Sequence, residues 1–181
     1  MSDSIKIFPA SEVVDQENLV KKLIEIDNIC YGEIDEKDEG VSDYWSKMHQ
    51  AIFSFVAMKN DEPIGYFDFV ALNQEGLKKL QAGNLRDGEM EKFIRSGDLL
   101  GEVNLYLISM AILPEYRGQG VGQRIWHTVK NYFIENNLKI KNLYATIWTQ
   151  AGHTFLKKFN YKVIAKDPQG HEIVVMEMGD F

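Results

Sequence analysis

Apolar and polar positions alternate in SIKIFPA (4–10), the two-residue period of a half-buried strand. Behind it, Val14, Leu19, Leu23 and Ile26 recur at near-helical spacing, and Ser11 is of the residue type that caps a first turn. The pattern therefore predicts an amphipathic helix over 11–29, with Ser11 as its N-cap. GEIDEKDEGVSD (32–43) is polar and acidic and reads as a loop, and YWSKMHQAIF (44–53) reads as a second short helix. SFVAMKN (54–60) and PIGYFDFVALN (63–73) flank the turn residues NDEP and predict an antiparallel hairpin. Residues 74–98 show no strand pattern, only short helical pieces between glycines, and read as an insertion.

The second half is more regular. GEVNLYLISMAIL (101–113) predicts a long strand, a glycine-rich loop follows, and 119–136 has a helical pattern. NLYATIW (142–148) is strand-like and TQAGHTFLKKF (149–159) helical, with Phe155 and Phe159 one turn apart. NYKVIAK (160–166) and HEIVVMEM (171–178) close the chain as a hairpin around DPQG. The order β-α-α-β-β-insert-β-α-β-α-β-β predicts an α+β, three-layer fold. Its central sheet is mixed but mostly antiparallel, with helices on both faces and one parallel pair made by the strand–helix–strand unit.

At 181 residues the chain fits one domain, read as 1–181 with an insertion at 74–98. That insertion reads as a surface excursion, with a lid or a homodimer contact as its alternative uses. A net charge of −7 and the lack of a basic stripe argue against nucleic-acid binding and toward a cationic substrate. Cys30 is the only cysteine, so no internal disulfide can form. Its setting, IDNICYG, reads as the buried end of a helix rather than a nucleophile's site. The start, MSDSIKIFPA, lacks the basic and apolar regions of a signal peptide, and no apolar run reaches the ~20 residues of a spanning helix. A cytoplasmic location is expected. His49, His127, His153 and His171 are scattered without metal-ligand spacing, so no metal is expected.

The glycine loop carries the first chemical signal. PEYRGQGVG (114–122) places Gly118, Gly120 and Gly122 between a strand and a helix, with Arg117 inside. Glycines let the backbone turn tightly and approach a ligand. A helix starting there leaves its first N–H groups unpaired at the positive end of the helix dipole, a site for phosphate. Arg117 adds a cationic fork. The loop lacks the Lys-Ser or Lys-Thr of a P-loop and the spacing of a dinucleotide fingerprint. A glycine-rich turn without a ligand is the alternative reading.

The stretch from Ile112 to Gly122 resembles the acetyl-CoA signature of the GNAT N-acetyltransferase superfamily. Arg117, Gly120 and Gly122 match its core, and Ile112 and Pro114 match the residues before it. The predicted order of elements is similar to that fold over nearly the whole chain. The resemblance implies that acetyl-CoA lays its pyrophosphate on the N–H groups of Arg117, Gly118, Gln119, Gly120, Val121 and Gly122. It also implies that pantetheine pairs, strand-like, with the main chain at Met110, Ala111 and Ile112, where the strand splays from its neighbour.

Acetylating an amine requires a neutral amine, a polarised carbonyl and a proton for the leaving thiolate. N–H groups near Ala111 and Ile112 can polarise the carbonyl. The family often carries a tyrosine acid on the next helix. Here Thr149 stands at the family's asparagine position, counted with the cofactor contacts, but Leu156 falls at the tyrosine position and cannot donate a proton. Related enzymes carry a carboxylate base on the central or the following strand. Glu102, Asn104 and Tyr106 share one face of the central strand by its two-residue period. Glu102 is its only carboxylate and is taken as the base, acting through water. Tyr106 is taken to orient the amine or to serve as acid. Both read equally as ordinary strand residues. Tyr144 stands where some relatives carry a carboxylate, and His153 reads as an exposed helix histidine.

In the resembling fold the loop of 32–43 borders the acceptor site. Its Glu33, Asp35, Glu36, Asp38, Glu39 and Asp43 would attract an amine, or form a solvated run. Tyr31, Tyr44 and Trp45 flank it and could hold an apolar stem or pack the helices. The acceptor expected is a small-molecule or peptide amine, with neither nucleic acid nor membrane as partner. The rival readings are an acyl-CoA-binding sensor without turnover and an interaction module whose loop is empty.

Overall fold

A computed structural model of the chain describes residues 4–32, 52–95 and 101–178. The acidic loop, Tyr44 and Trp45 lie outside the described residues, as does most of the helix expected over 44–53. The end of that segment, Ile52 and Phe53, is not helical but opens a strand.

Seven strands form one sheet in the order β1-β2-β3-β4-β5-β7-β6. They are β1 Lys6–Pro9, β2 Ile52–Lys59, β3 Glu62–Ala71, β4 Glu102–Ile112, β5 Lys139–Ile147, β6 Lys162–Lys166 and β7 Glu172–Glu177. The helices are α1 Gln16–Tyr31, α2 Gln74–Gln81, α3 Val121–Glu135 and α4 Gln150–Leu156. β4 and β5 pair in parallel from Glu102↔Lys139 to Leu107↔Ala145, whereas β1–β2, β5–β7 and β6–β7 are antiparallel. This is the mixed, mostly antiparallel sheet with helices that the pattern predicts. β2 and β3 are joined through Asn60 and Asp61, with φ of 51° and 64°. Two consecutive positive φ values mark the tight turn whose twist matches a hairpin, and Asn and Asp tolerate it best after glycine.

The chain divides into two compact units. The first comprises Met1–Asp68 and Ser109–Tyr132, the second Phe69–Ile108 and Phe133–Phe181. In the first, α1 lays Leu19, Leu23 and Ile26 against Val56, Tyr66 and Ala111. The helix starts later than the pattern predicts. Residues Ala10–Glu12 make a separate 3-10 turn, and the N-cap is Asp15, whose side chain accepts from the Asn18 N–H at 3.1 Å. Val14 precedes that cap and is fully exposed, so it belongs to no apolar stripe. Gly65 interrupts the apolar β3 for a steric reason: a Cβ there would stand 2.8 Å from the Ala111 carbonyl oxygen on β4.

In the second unit residues 74–94 are tied back to their flanks at two points. The Asn73 N–H donates to the Phe93 carbonyl at 2.8 Å, and the Arg95 N–H to the Ala71 carbonyl at 2.8 Å. Leu80, Met90 and Phe93 are buried, so the segment packs apolar side chains and is not a solvated excursion.

Candidate active site

The glycine loop is built by a short reversal. After β4, Pro114–Tyr116 form a 3-10 turn, closed by the Tyr116 N–H on the Leu113 carbonyl and the Arg117 N–H on the Pro114 carbonyl. Gly118 and Gly120 then take φ of 75° and 77°, the left-handed region that favours glycine. At the start of α3 the Arg124 N–H donates to the Gly120 carbonyl at 3.1 Å. The N–H groups of residues 118–123 have no acceptor among the described residues. They form an unpaired row of donors at a helix N-terminus, the chemistry that holds a phosphate. Arg117 anchors through its Nε, which donates to the Ile112 carbonyl at 2.8 Å. Its other N–H groups are unpartnered among the described residues.

The end of β4 is hydrogen-bonded through both backbone and side-chain partners. The Leu113 N–H donates to the Ile64 carbonyl at 3.0 Å, so odd residues here turn their backbone toward β3. Met110 and Ile112 turn theirs the other way by the period of the strand. Both carbonyls already have side-chain donors. Met110 accepts from the Tyr31 hydroxyl at 2.7 Å, and Ile112 from Arg117 and from Cys30 Sγ at 3.4 Å. A carbonyl oxygen offers two lone pairs, so Met110 retains one. Tyr31 and Cys30 thus tie the end of α1 to this strand, and Cys30 is half-buried there.

One cluster has no counterpart in the sequence reading. Asp27, one turn before Tyr31, points a carboxylate at β3 and β4. Its Oδ1 accepts from the Tyr66 hydroxyl and, at 3.2 Å, from the Ser109 hydroxyl. Tyr66 and Ser109 are themselves 2.9 Å apart. Burial raises the pKa of Asp27, against the two hydroxyls that favour its charge. Burial also pushes the Tyr66 hydroxyl well above its ordinary range, helped by the nearby Asp68 and Asp27. Asp68 is wholly buried, and among the described residues neither of its oxygens nor Ser54 Oγ has a hydrogen-bond partner. Burial drives its carboxyl well upward; the neighbouring Ser54 hydroxyl opposes this without reaching hydrogen-bond geometry, and Asp27 adds to it.

Glu102, Tyr106 and Thr149 belong to the second unit, whereas Met110, Ala111, Ile112 and 117–122 belong to the first. Glu102 opens β4, exposed, 3.6 Å from Lys141 Nζ. Tyr106 is buried beside Tyr144 in register, its hydroxyl 3.0 Å from Thr146 Oγ1. Thr149 is the N-cap of α4, its Oγ1 accepting from the Gly152 N–H at 3.0 Å. Leu156 is buried, a core position. His153 lies edge-on to Tyr161. Among the described residues no group of three or more His, Cys, Asp or Glu could hold a metal ion, and no helix is long and apolar enough to cross a membrane.

Comparison with known proteins follows the same lines. No curated protein matches the sequence. Solved structures resemble the fold along nearly its whole length. An acetyltransferase from Streptococcus agalactiae superimposes with a TM-score of 0.66 at 12% identity, covering 98% of this chain and 100% of that one. The PaiA N-acetyltransferase of Thermoplasma acidophilum, solved with coenzyme A, gives 0.57 at 15% identity over 97% and 99%. Arabidopsis thaliana Naa50, solved with the bisubstrate analogue CoA-Ac-MVNAL, gives 0.58 at 18% identity over 97% and 99%. A family model described as Acetyltransferase (GNAT) family matches residues 20–161, and the chain belongs to that family.

Proposed function

We propose that this chain transfers the acetyl group of acetyl-CoA to a primary amine by direct attack of the amine on the thioester. The observation that carries the reading is the row of N–H groups over 118–123 at the start of α3 that has no acceptor among the described residues. In this reading they receive the pyrophosphate, with the free N–H groups of Arg117 beside it. Pantetheine lies along Met110, Ala111 and Ile112.

The acceptor in this reading is an amine of a small molecule or of a peptide. The net charge of −7 favours cationic acceptors over anionic ones. The test is steady release of coenzyme A thiol with spermidine, kanamycin, lysine and an alanyl peptide as acceptors. Continued release with at least one amine supports transfer. Binding of acetyl-CoA without release supports the second reading, an acyl-CoA sensor, which the buried Leu156 at the family's tyrosine position favours.

A further inference from the structure

The Asp27 cluster lies against the part of β4 where the reacting thioester is expected. Ser109 and Ala111 share one face of the strand, about 6–7 Å apart along it. Ala111 and Tyr66 pack together against α1 on that face. Asp27 reaches it from the helix, and Tyr31, on the same helix, reaches the Met110 carbonyl. The carboxylate is therefore fixed to the strand at Ser109, next to the main chain that this reading gives to pantetheine.

The two hydroxyl donors converge on a single oxygen, Oδ1. Oδ2 has no partner among the described residues, and it is not one of the buried unpartnered atoms. A carboxylate placed only to close a hydrogen-bond network would engage both oxygens. Here one oxygen is held from two strands, and among the described residues the other is left for an acceptor. From these placements we infer that Asp27 is the catalytic base: its Oδ2 takes a proton from the acceptor ammonium before the amine attacks.

The inference rests on the acetyl transfer proposed above, and its balance is simple. The ammonium gives one proton to the Asp27 carboxylate, which becomes a carboxylic acid. The neutral nitrogen forms a bond to the thioester carbon, and the carbon–sulfur bond breaks. A second amine proton accompanies the thiolate, giving the free thiol and the amide. Asp27 later releases its proton to solvent. Burial, which weakens the carboxyl as an acid, makes it a better acceptor of such a proton. Tyr66 and Ser109 act as positioning residues, because they fix the carboxylate and touch no reacting atom.

The groups that face Asp27 are Tyr66 and Asp68 from β3, Ser109 from β4, and Tyr31 on its own helix. The experiment measures kcat/KM against pH for wild type, Asp27→Asn and Tyr66→Phe with the best amine of the panel, and acetyl-CoA affinity by calorimetry. Asp27→Asn should keep acetyl-CoA affinity, lose about 10²–10⁴-fold in kcat/KM and lose the acidic limb of the profile. Tyr66→Phe removes a donor that favours the charged form, so its acidic limb should move to higher pH. An Asp27→Asn variant with wild-type rate and profile overturns the inference alone. If Asp27→Asn does not fold, an unmoved limb in Tyr66→Phe overturns it. A wild type that binds acetyl-CoA but acetylates no amine overturns the parent reading and this one with it.

Discussion

Gly118 and Gly120 adopt positive φ, yet an added Cβ at either would meet nothing within 4 Å. Their glycines answer to backbone conformation, not to crowding. Gly120→Ala should therefore cost only the left-handed strain, roughly 1–2 kcal/mol, and retain acetyl-CoA binding. Gly120→Asp adds a negative charge where the pyrophosphate is placed and should abolish binding in calorimetry. Equal binding by the two variants would remove phosphate from this loop. Asp68 makes a second prediction at this scale, through pH. Its carboxyl is raised well above 3.8 in the folded chain, so the folded state holds its proton after the unfolded state has released it. Below 3.8 both states are protonated and the ionisation of Asp68 takes nothing from stability. As pH rises from 3.8 toward the folded value, stability falls. Asp68→Asn has no proton to lose there, so its melting temperature should exceed that of wild type at neutral pH. The gain should shrink as pH falls toward 3.8. Asp27, raised in the same direction, keeps its own share of the slope in the variant. A difference in melting temperature that does not change with pH would mean that Asp68 is not the group titrating.

Caps separate what is local from what is not. Ser11 and Asp15 are both of capping type, and the apolar spacing alone favours the earlier start. The chain uses Asp15, because Ala10–Glu12 turns as a 3-10 unit and Val13 is extended behind it. Asp15→Ala should cost about 0.5–2 kcal/mol in urea unfolding, whereas Ser11→Ala should stay within about 0.5 kcal/mol. The reverse order would place the helix start where the apolar pattern puts it. The strands and the glycine loop were legible in the sequence because each signal lies in one contiguous stretch: an apolar run over 105–113, glycines and Arg117 directly after it. The Asp27 cluster was not legible. It joins a helix and two strands from distant parts of the chain, and each member is ordinary in its own element. Asp27 reads as a polar helix position, Tyr66 as an apolar strand position and Ser109 as a break in an apolar run. The donors on Met110 and Ile112 were hidden for the same reason, since Tyr31 and Cys30 reach them from α1.

At the scale of the molecule, three readings of one fold differ in what acetyl-CoA does to the whole chain. A transferase and a sensor both bind it, and an interaction module with an empty loop does not. A ligand that binds only the folded state stabilises it by mass action, by roughly 2.7 kcal/mol at 100 times its dissociation constant. For a chain of this length that amounts to about 5–11 °C in melting temperature. Acetyl-CoA at that excess should produce the shift in wild type and in Asp27→Asn, because Asp27 is assigned to the amine and not to the cofactor. Gly120→Asp should show none. The pattern separates binding from turnover: a shift without thiol release identifies the sensor, and a shift with release identifies the transferase. A wild type whose melting temperature does not move at saturating acetyl-CoA leaves the donor row over 118–123 without its proposed ligand. Both acetyl-CoA readings then fall together, although the family fold stands.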